Sequence, residues 1–331
     1  MRARSNPRSR IWGAHSRFLV KKFEVTDADI GSRLDKIVVA QLGGLGRAGV
    51  KKLFEQGRVR VLRAGHTRPQ KASKGETASQ GDVIEVDFEE AASGGTVPDA
   101  DAPLSIVLER DDLVVIDKPA GQPSAPIDPG ERGTVANAVL ARYPETKAIG
   151  FSAREPGLVH RLDTDTSGLL LVARTLLAFE TLSRALKEGR IDKRYHLLCK
   201  GGDLPESGTI EIPLAPHPKD RRRVYACVHP RDVARYSPRP AITHYVRRLA
   251  CGDLWLVEAR AAKASRHQIR AHFAAIGHPL AGDALYGGPE VDGLTRHALH
   301  AASIVWGGDA SVPAFHAISP LPDDIRRIVE S

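Results

Sequence analysis

The sequence predicts an α+β protein with two domains, and three observations support this prediction. The chain has 331 residues, which is room for one small and one large domain. Short stretches in which apolar and polar residues alternate, such as 58–61 and 81–86, predict strands and stand among helical periodicities. Residues 91–103 are small, acidic and interrupted by proline, which is typical of a linker. We therefore expect a small domain at 18–90 and a larger one at 104–331.

The N-terminal arm, residues 1–17, is strongly basic. The protein has a formal net charge of +8 and a pI of about 9.5. Seven basic residues precede the first acidic residue, Glu24, and they are Arg2, Arg4, Arg8, Arg10, Arg17, Lys21 and Lys22. The arm lacks the apolar segment of a secretory signal, so we expect a disordered arm that binds phosphate groups. An organellar transit peptide is the alternative.

The composition also bears on the cellular location. Cys199, Cys227 and Cys251 stand far apart, which fits a reducing cytoplasm and neither a disulfide framework nor a zinc site. No apolar run approaches the roughly 18 residues needed to span a bilayer, so we expect no membrane partner. The positive charge instead indicates a polyanionic partner.

Within the small domain, the pattern predicts two short helices followed by strands. The second helix lies near 50–56, and Gly57 is expected as its C-cap. Residues 44–49 (GLGRAG) satisfy GxGxxG, but a dinucleotide site also requires a preceding strand and an acidic residue about 20 positions further on. Residues 63–68 are basic at that distance. We therefore interpret these glycines as a turn between the two helices.

The most informative stretch is residues 160–168, with the sequence HRLDTDTSG. It places Asp163 in a turn rich in hydroxyl groups, and the apolar run 169–173 follows as a buried strand. This arrangement predicts a polar loop that presents one carboxylate at the end of a strand. When the loop is considered alone, a plain turn whose hydroxyls cap their own backbone is the alternative.

Four stretches of the larger domain resemble the RluA-type family of pseudouridine synthases, in the order of that family. They are 114–121 (VVIDKPAG), 160–168, 193–201 (KRYHLLCKG) and 267–287, which begins HQIRAH. Residues 31–88 resemble a small α/β RNA-binding domain, named after a ribosomal protein, that is often fused ahead of such catalytic domains. The resemblance implies a pseudouridine synthase fold with a mixed, largely antiparallel central sheet and an RNA cleft across it.

This resemblance also implies three catalytic residues. Asp163 corresponds to the nucleophile, and Arg270 corresponds to the cation that pairs with it. A neighbouring guanidinium favours the ionised form of a carboxylate. Tyr195 corresponds to the residue that stacks on an extruded uracil and removes the final proton. Without the resemblance, Tyr195 also fits a core position and Arg270 a surface charge on a helix.

The helix that carries Arg270 has its own signals. Ser265 and Gln268 have the spacing of a capping box, which predicts a helix from Ser265 to Ile276 with Gly277 as its stop. Its apolar face is expected to comprise Ile269, Phe273 and Ile276.

RNA contacts are expected on both domains. On the small domain, its resemblance to the RNA-binding domain implies that they are made by Arg33, Lys36, Arg47, Lys51, Lys52, Arg58 and Arg60. On the larger domain the basic run Arg221, Arg222 and Arg223 suits a phosphate clamp at the cleft rim. Arg161 and Ile269 are expected to contact RNA within the cleft. A solvated charged face is the alternative for both basic sets.

The implied reaction sets the cofactor requirement. Uridine becomes pseudouridine when a bond from ribose to a ring nitrogen is replaced by one to a ring carbon, without net oxidation or hydrolysis. We therefore expect no redox cofactor, nucleotide or metal. The histidines do not cluster with carboxylates or thiolates in a metal-binding spacing; they include His160, His267, His272 and His278.

Two departures from the family pattern concern substrate choice. Residues 263–266 (KASR) stand where Thr-Gly-Arg-x is usual, and Thr164 stands where a basic residue is common. Structured RNA, most of all large-subunit ribosomal RNA, is the expected substrate, and transfer RNA is the alternative. A non-catalytic RNA-binding or ribosome-assembly factor is a second class, which the intact Asp163 disfavours. A hydrolase that uses Asp165 as a second carboxylate is the third. The resemblance to the family also implies a monomer.

Overall fold

The computed structural model divides into two compact units, Met1–Gly95 and Thr96–Ser331. The residues whose structure is described are 18–42, 47–89, 95–128 and 130–331. The basic arm predicted at 1–17 therefore lies outside the described residues, as does part of the glycine-rich turn predicted at 44–49.

The first unit is an antiparallel sheet with two helices. Its strands are β1 (Phe18–Glu24), β2 (Val59–Leu62), β3 (Gln70–Lys71) and β4 (Val83–Glu89), and its helices are α1 (Leu34–Gln41) and α2 (Arg47–Glu55). The sheet order is β1-β4-β2-β3. In β2, Val59 and Val61 are buried while Arg60 is exposed, as the alternation predicts. Gly57 has a φ of 69°, the left-handed conformation that suits a glycine just beyond a helix end.

The second unit begins at Thr96, within the residues predicted as a linker. Thr96 donates hydrogen bonds from its backbone nitrogen to the Ala153 carbonyl (2.9 Å) and from its hydroxyl to the Arg154 carbonyl (2.9 Å). The Val97 carbonyl accepts from the Asn137 side chain at 2.7 Å. The linker prediction of 91–103 thus differs from the structure at its C-terminal end, because these polar groups satisfy one another within the second unit. Residues 90–94 lie outside the described residues.

The second unit is built on one large mixed sheet. Its strands are β5 (Ser105–Glu109), β6 (Leu113–Lys118), β7 (Ser167–Ala173), β8 (Ile191–Lys200), β9 (Ser207–Ile210), β10 (Leu214–Pro216), β11 (Val224–Ala226), β12 (Thr243–Cys251), β13 (Leu254–Arg260), β14 (Leu299–Trp306) and β15 (Phe315–Ile318). The order is β5-β6-β7-β14-β8-β13-β12-β9, with β15 also paired to β14 and β10 paired separately to β11. Among the described pairs, β7 with β14 is parallel and the others are antiparallel. The predicted mixed, largely antiparallel sheet is confirmed.

Helices cover both faces of strand β7. The helices of this unit are α3 (Val135–Arg142), α4 (Leu176–Glu188), α5 (Pro230–Tyr236), α6 (Gln268–Ala275) and α7 (Asp323–Glu330). Leu169 and Leu171 pack with residues of α4, whereas Leu170 packs with residues of α3. Because both faces are covered, every residue of the strand is buried and the sequence reads as a continuous apolar run. Across the described residues, no helix is long and apolar enough to cross a membrane.

Gly168 lets the strand with the Asp163 loop approach its parallel neighbour. It pairs with Ala301 of β14 and has a φ of 106°. A Cβ atom at this position would lie 2.3 Å from the Ala301 carbonyl oxygen, so no larger residue fits without moving the backbone. The glycine that closes the loop motif therefore fixes where the loop leaves the sheet.

Candidate active site

A cleft of about 680 Å³ in the second unit brings together residues from the loop, β8 and the segment before α6. Among its lining residues are His160, Arg161, Asp163, Thr166, Lys193, Tyr195, Ser265, Arg266, His267 and Ile269. Of the described residues that line it, Asp163 is the one carboxylate. Asp165 is exposed and does not line the cleft, so a paired-carboxylate hydrolase finds no second acid there.

Arg270 links the cleft carboxylate to a second, deeper one. Its Nη1 donates to Asp163 Oδ2 at 3.0 Å. Its Nε and Nη2 donate to the two oxygens of Asp283 at 2.7 and 2.9 Å, which is a bidentate pair. Arg270 is 6% exposed, so it is a buried, fixed cation rather than the surface charge that a helix pattern alone allows. The guanidinium is therefore held in place by Asp283 while it contacts Asp163.

The helix that carries Arg270 begins later than the sequence predicted. The helix α6 runs from Gln268 to Ala275, and Gly277 follows with a φ of 87°. The Ser265 nitrogen and hydroxyl both donate to the Gln268 side-chain oxygen, at 3.0 and 3.2 Å. His267 lies between them with a φ of 52°, outside helical geometry. The Ser265–Gln268 interaction therefore stabilises a turn before the helix, and the predicted start at Ser265 is three residues early.

His267 is a cleft residue whose importance the sequence did not indicate. Its Nε2 lies 3.6 Å from Asp163 Oδ2, and its Nδ1 lies 3.1 Å from the Tyr286 hydroxyl. That hydroxyl accepts from the Val224 nitrogen at 2.9 Å. Its own proton has two acceptors in reach, the Val224 carbonyl at 3.5 Å and His267 Nδ1 at 3.1 Å, and the shorter contact favours His267. We therefore assign the His267 proton to Nε2, which faces Asp163. A left-handed non-glycine residue is uncommon and clusters at functional sites.

Two buried cations, Lys118 and Arg296, donate hydrogen bonds to the backbone of the Asp163 loop. Lys118 is fully buried, and its amine donates to the carbonyl oxygens of Pro119, Gln122 and Thr164 at 2.9, 2.7 and 2.8 Å. Burial lowers the pKa of Lys118 to about 7, against the opposing effect of nearby carboxylates. Arg296 donates to the Asp165 carbonyl at 3.0 Å. The carbonyl groups of the two residues that follow Asp163 are thus fixed, which helps to give Asp163 a defined position.

Tyr195 lies on the buried face of β8 and is 5% exposed at the cleft. Burial raises the pKa of its hydroxyl above the ordinary value, and the negative charge of Asp163 raises it further. The phenol therefore stays protonated at neutral pH. The position suits the expected contact with a base, whereas the raised pKa does not favour the expected role as a proton acceptor.

The predicted RNA-contacting residues of the second unit fall into two groups. Arg161 lines the cleft and pairs with Glu155 at 2.8 Å, and Ile269 lines the cleft from a position that is 5% exposed. The run Arg221, Arg222 and Arg223 begins with two exposed side chains, whereas the third lies with its guanidinium carbon 5.2 Å from the Tyr286 ring centre. Arg266, from the segment that departs from the family pattern, donates to the carbonyls of Arg221 and Arg222 at 3.0 and 2.6 Å.

The predicted RNA-contacting residues of the first unit are mostly exposed. The exposed ones are Arg33, Lys36, Lys51, Lys52 and Arg60, and Arg58 is half-buried. Arg33 pairs with Asp35 at 3.0 Å, and Lys51 pairs with Glu55 at 3.4 Å, so both of these ion pairs join near neighbours in the sequence. Arg47 begins α2, and its side chain lies outside the described residues. The exposed positions are accessible to a polyanion.

Several residues of the site belong to the matching stretches, although the sequence indicated no role for them. They are Lys118, Lys193, His267, Asp283 and Tyr286. The available signal for Lys118 was a lysine at the end of a strand that begins with four apolar residues, 113–116. For Asp283 the signal was the requirement that a buried arginine be paired with more than one acceptor.

Comparison with known proteins agrees with the geometry. A family model described as RNA pseudouridylate synthase matches residues 112–275. An uncharacterised RNA pseudouridine synthase of Synechocystis is 33% identical over 317 residues, which cover 95% of this chain and 93% of that protein. The protein named ribosomal large subunit pseudouridine synthase D of Nitrosomonas europaea is 34% identical, over 99% of this chain and 92% of its own length.

A solved structure supports the same assignment. Human RNA pseudouridylate synthase domain containing 1 superimposes with a TM-score of 0.52 and 28% identity, over 67% of this chain and 85% of the human chain. The fold expected from the four sequence stretches is thereby confirmed. The chain belongs to the RNA pseudouridine synthase family and is an isomerase that converts uridine to pseudouridine in RNA.

Proposed function

We propose that the protein modifies uridines of large-subunit ribosomal RNA, with Asp163 as the nucleophile that attacks a uridine flipped into the cleft. The observation that carries the proposal is the contact of 3.0 Å between Asp163 and the buried Arg270 inside a cleft. The contact holds the carboxylate in a fixed orientation inside the cleft, as a nucleophile that attacks ribose requires.

The neighbouring side chains support this assignment of roles. Arg270 engages Oδ2 of Asp163 and is itself held by Asp283, so we propose that it positions the carboxylate and leaves Oδ1 for the reaction. Tyr195 lies on the cleft wall and suits a platform for the extruded base. Because its pKa is raised, we assign it the stacking role and not the proton removal.

The choice of ribosomal RNA rests on the relatives and on the charge of the chain. The similar protein from Nitrosomonas europaea is named for the ribosomal large subunit. The exposed basic residues of the first unit and of the run 221–223 suit phosphate contacts by a structured RNA. We further propose that the protein acts in the cytoplasm, as a monomer and without a cofactor. Transfer RNA is the second candidate substrate.

The experiment uses the purified protein with transcripts of large-subunit ribosomal RNA and of transfer RNA. Pseudouridine formation is measured for wild type, Asp163→Asn and the matched control Asp165→Asn. We expect product in the ribosomal transcript for wild type and Asp165→Asn, and none for Asp163→Asn. Product confined to transfer RNA would overturn the substrate, and full activity of Asp163→Asn would overturn the nucleophile. RNA binding without product in any variant would favour a non-catalytic factor.

A further inference from the structure

Lys193 is a cleft residue to which the proposed function gives no role. It lies on β8 two residues before Tyr195, so both side chains point to the same face of the sheet. At the rise of an extended strand their Cα atoms are roughly 6.6 Å apart, which is about the width of a pyrimidine with its carbonyl oxygens. Lys193 is 6% exposed, and the surface that it retains lines the cleft.

The charge of Lys193 has no protein partner in the described part of the chain. Burial alone lowers its pKa, to about 8, and no neighbouring carboxylate opposes that effect. His160, which shares the cleft, has its pKa lowered to about 3 by burial and then by Lys193 itself, so it stays neutral. Lys118, in contrast, donates to three carbonyl oxygens.

An unpaired buried ammonium is costly. The penalty for removing such an ion from water is large, and a fold recovers it only by pairing the charge. Among the described residues Lys193 has no such pairing, so it does not serve stability. A largely buried cation at the wall of a cleft instead suits a ligand that supplies the missing negative charge.

We propose that Lys193 is a catalytic residue that stabilises the negative charge on the uracil ring when its bond to ribose breaks. The inference rests on the proposed function. Asp163 forms a bond to ribose C1′ as the C1′–N1 bond breaks, and the electron pair passes to the ring and is shared by N1 and the carbonyl oxygens. The Lys193 ammonium donates a hydrogen bond to one of these oxygens and keeps its proton.

The remaining steps of the reaction transfer no proton or electron pair to or from Lys193. The ring turns, C5 attacks C1′, and the Asp163 carboxylate leaves with its electron pair. C5 then loses its proton, and N1 gains one. The isomerisation therefore consumes no co-reactant, and the ammonium of Lys193 is unchanged at its end.

Its position favours the base over a backbone phosphate as the group that Lys193 contacts. Arg161 and Arg266 are exposed at the same cleft and are the cations that a hydrated phosphate reaches without being stripped of water. Lys193 is more deeply buried in the cleft and points to the same face of the sheet as Tyr195. A ring stacked on Tyr195 would present a carbonyl oxygen to this depth.

The test compares Lys193→Met with Lys200→Met, which removes an exposed lysine from the end of the same strand. Single-turnover rates at saturating protein and the Kd for the RNA are measured separately. We expect Lys193→Met to lower the rate by about 10²- to 10³-fold, the usual effect of removing one preorganised charge-stabilising donor, with Kd changed less than about threefold. Lys200→Met should leave both unchanged, and Lys193→Arg should retain part of the rate.

A second substrate, RNA that carries 5-fluorouridine, tests whether Lys193 acts on the breaking of the bond between the ring and ribose. Fluorine at C5 stabilises the departing ring anion, so the defect of Lys193→Met should shrink at least about tenfold on RNA that carries 5-fluorouridine, measured as loss of the starting nucleotide. If Lys193→Met raises the Kd but leaves the single-turnover rate at saturation unchanged, Lys193 contacts a phosphate and the inference is overturned. If neither the rate nor the Kd changes, the inference is overturned as well. Asp163→Asn in the same assay distinguishes the two proposals. If Asp163→Asn is active, the proposed function is wrong. If Asp163→Asn is inactive while Lys193→Met has the wild-type rate, only the proposed role of Lys193 is wrong.

Discussion

Lys193→Met is expected to make the protein more stable. The lysine is buried in the cleft with its pKa lowered from 10.5 to about 8, which corresponds to about 3 kcal/mol against the folded protein when the amine is charged. Methionine has a similar length and no charge, so it removes this penalty and keeps the apolar contacts of the side chain. At pH 7 we expect the free energy of unfolding to rise by up to about 3 kcal/mol.

The expected gain depends on pH in a defined direction. The folded-state pKa lies below the unfolded value, so between pH 8 and 10.5 the unfolded chain binds more protons at this site and wild type gains stability as pH rises. The difference between variant and wild type should therefore be largest below pH 8 and vanish towards pH 10.5. Denaturant unfolding followed by tryptophan fluorescence measures it, because Trp255 and Trp306 both lie in the sheet of the second unit.

Lys118→Met is the matched control for this prediction. It also removes a buried lysine, but three carbonyl oxygens lose their donor, each at a cost of about 1–3 kcal/mol if left unsatisfied. The pKa of Lys118 is lowered further than that of Lys193, to about 7, so relief of its burial penalty offsets part of this cost. Lys118→Met should therefore be less stable than Lys193→Met at pH 7. If Lys193→Met were no more stable than wild type at pH 7, or if its gain did not decline with rising pH, the description of Lys193 as an unpaired buried charge would be wrong.

Two further substitutions test the support of Asp163. Asp283→Asn removes the bidentate partner of Arg270. It should lower the free energy of unfolding by about 3–5 kcal/mol and reduce kcat. An unchanged kcat in folded protein would show that Arg270 does not need Asp283 to hold it beside Asp163. Tyr286→Phe removes the hydrogen bond that fixes the His267 proton on the nitrogen facing Asp163. It should lower kcat about fivefold, the equivalent of one hydrogen bond of about 1 kcal/mol, with KM unchanged, and an effect on KM alone would contradict this role.

Local signals predicted much of the framework of the site. The apolar run 169–173 indicated a buried strand, and β7 is buried along its whole length. Gly277 marked the end of α6. These features depend on residues close in sequence, where periodicity and the conformational range of glycine act directly.

Local signals could not predict which groups Arg270 and Lys118 contact. Arg270 reaches Asp163, which is 107 residues earlier, and Lys118 reaches Thr164, which is 46 residues later. Neither spacing has a local pattern, because both contacts arise from the order of strands in the sheet. The late start of α6 likewise follows from the left-handed conformation of His267, which the Ser265–Gln268 spacing did not reveal.

The most direct measurement is site-resolved pseudouridine mapping of total RNA from cells that carry the wild-type protein or Asp163→Asn. We predict that one or a few sites in large-subunit ribosomal RNA lose pseudouridine in the variant, while the protein remains folded and bound to RNA. Loss confined to transfer RNA would contradict the proposed substrate. An unchanged map would contradict the central claim that Asp163, held by Arg270, performs the reaction.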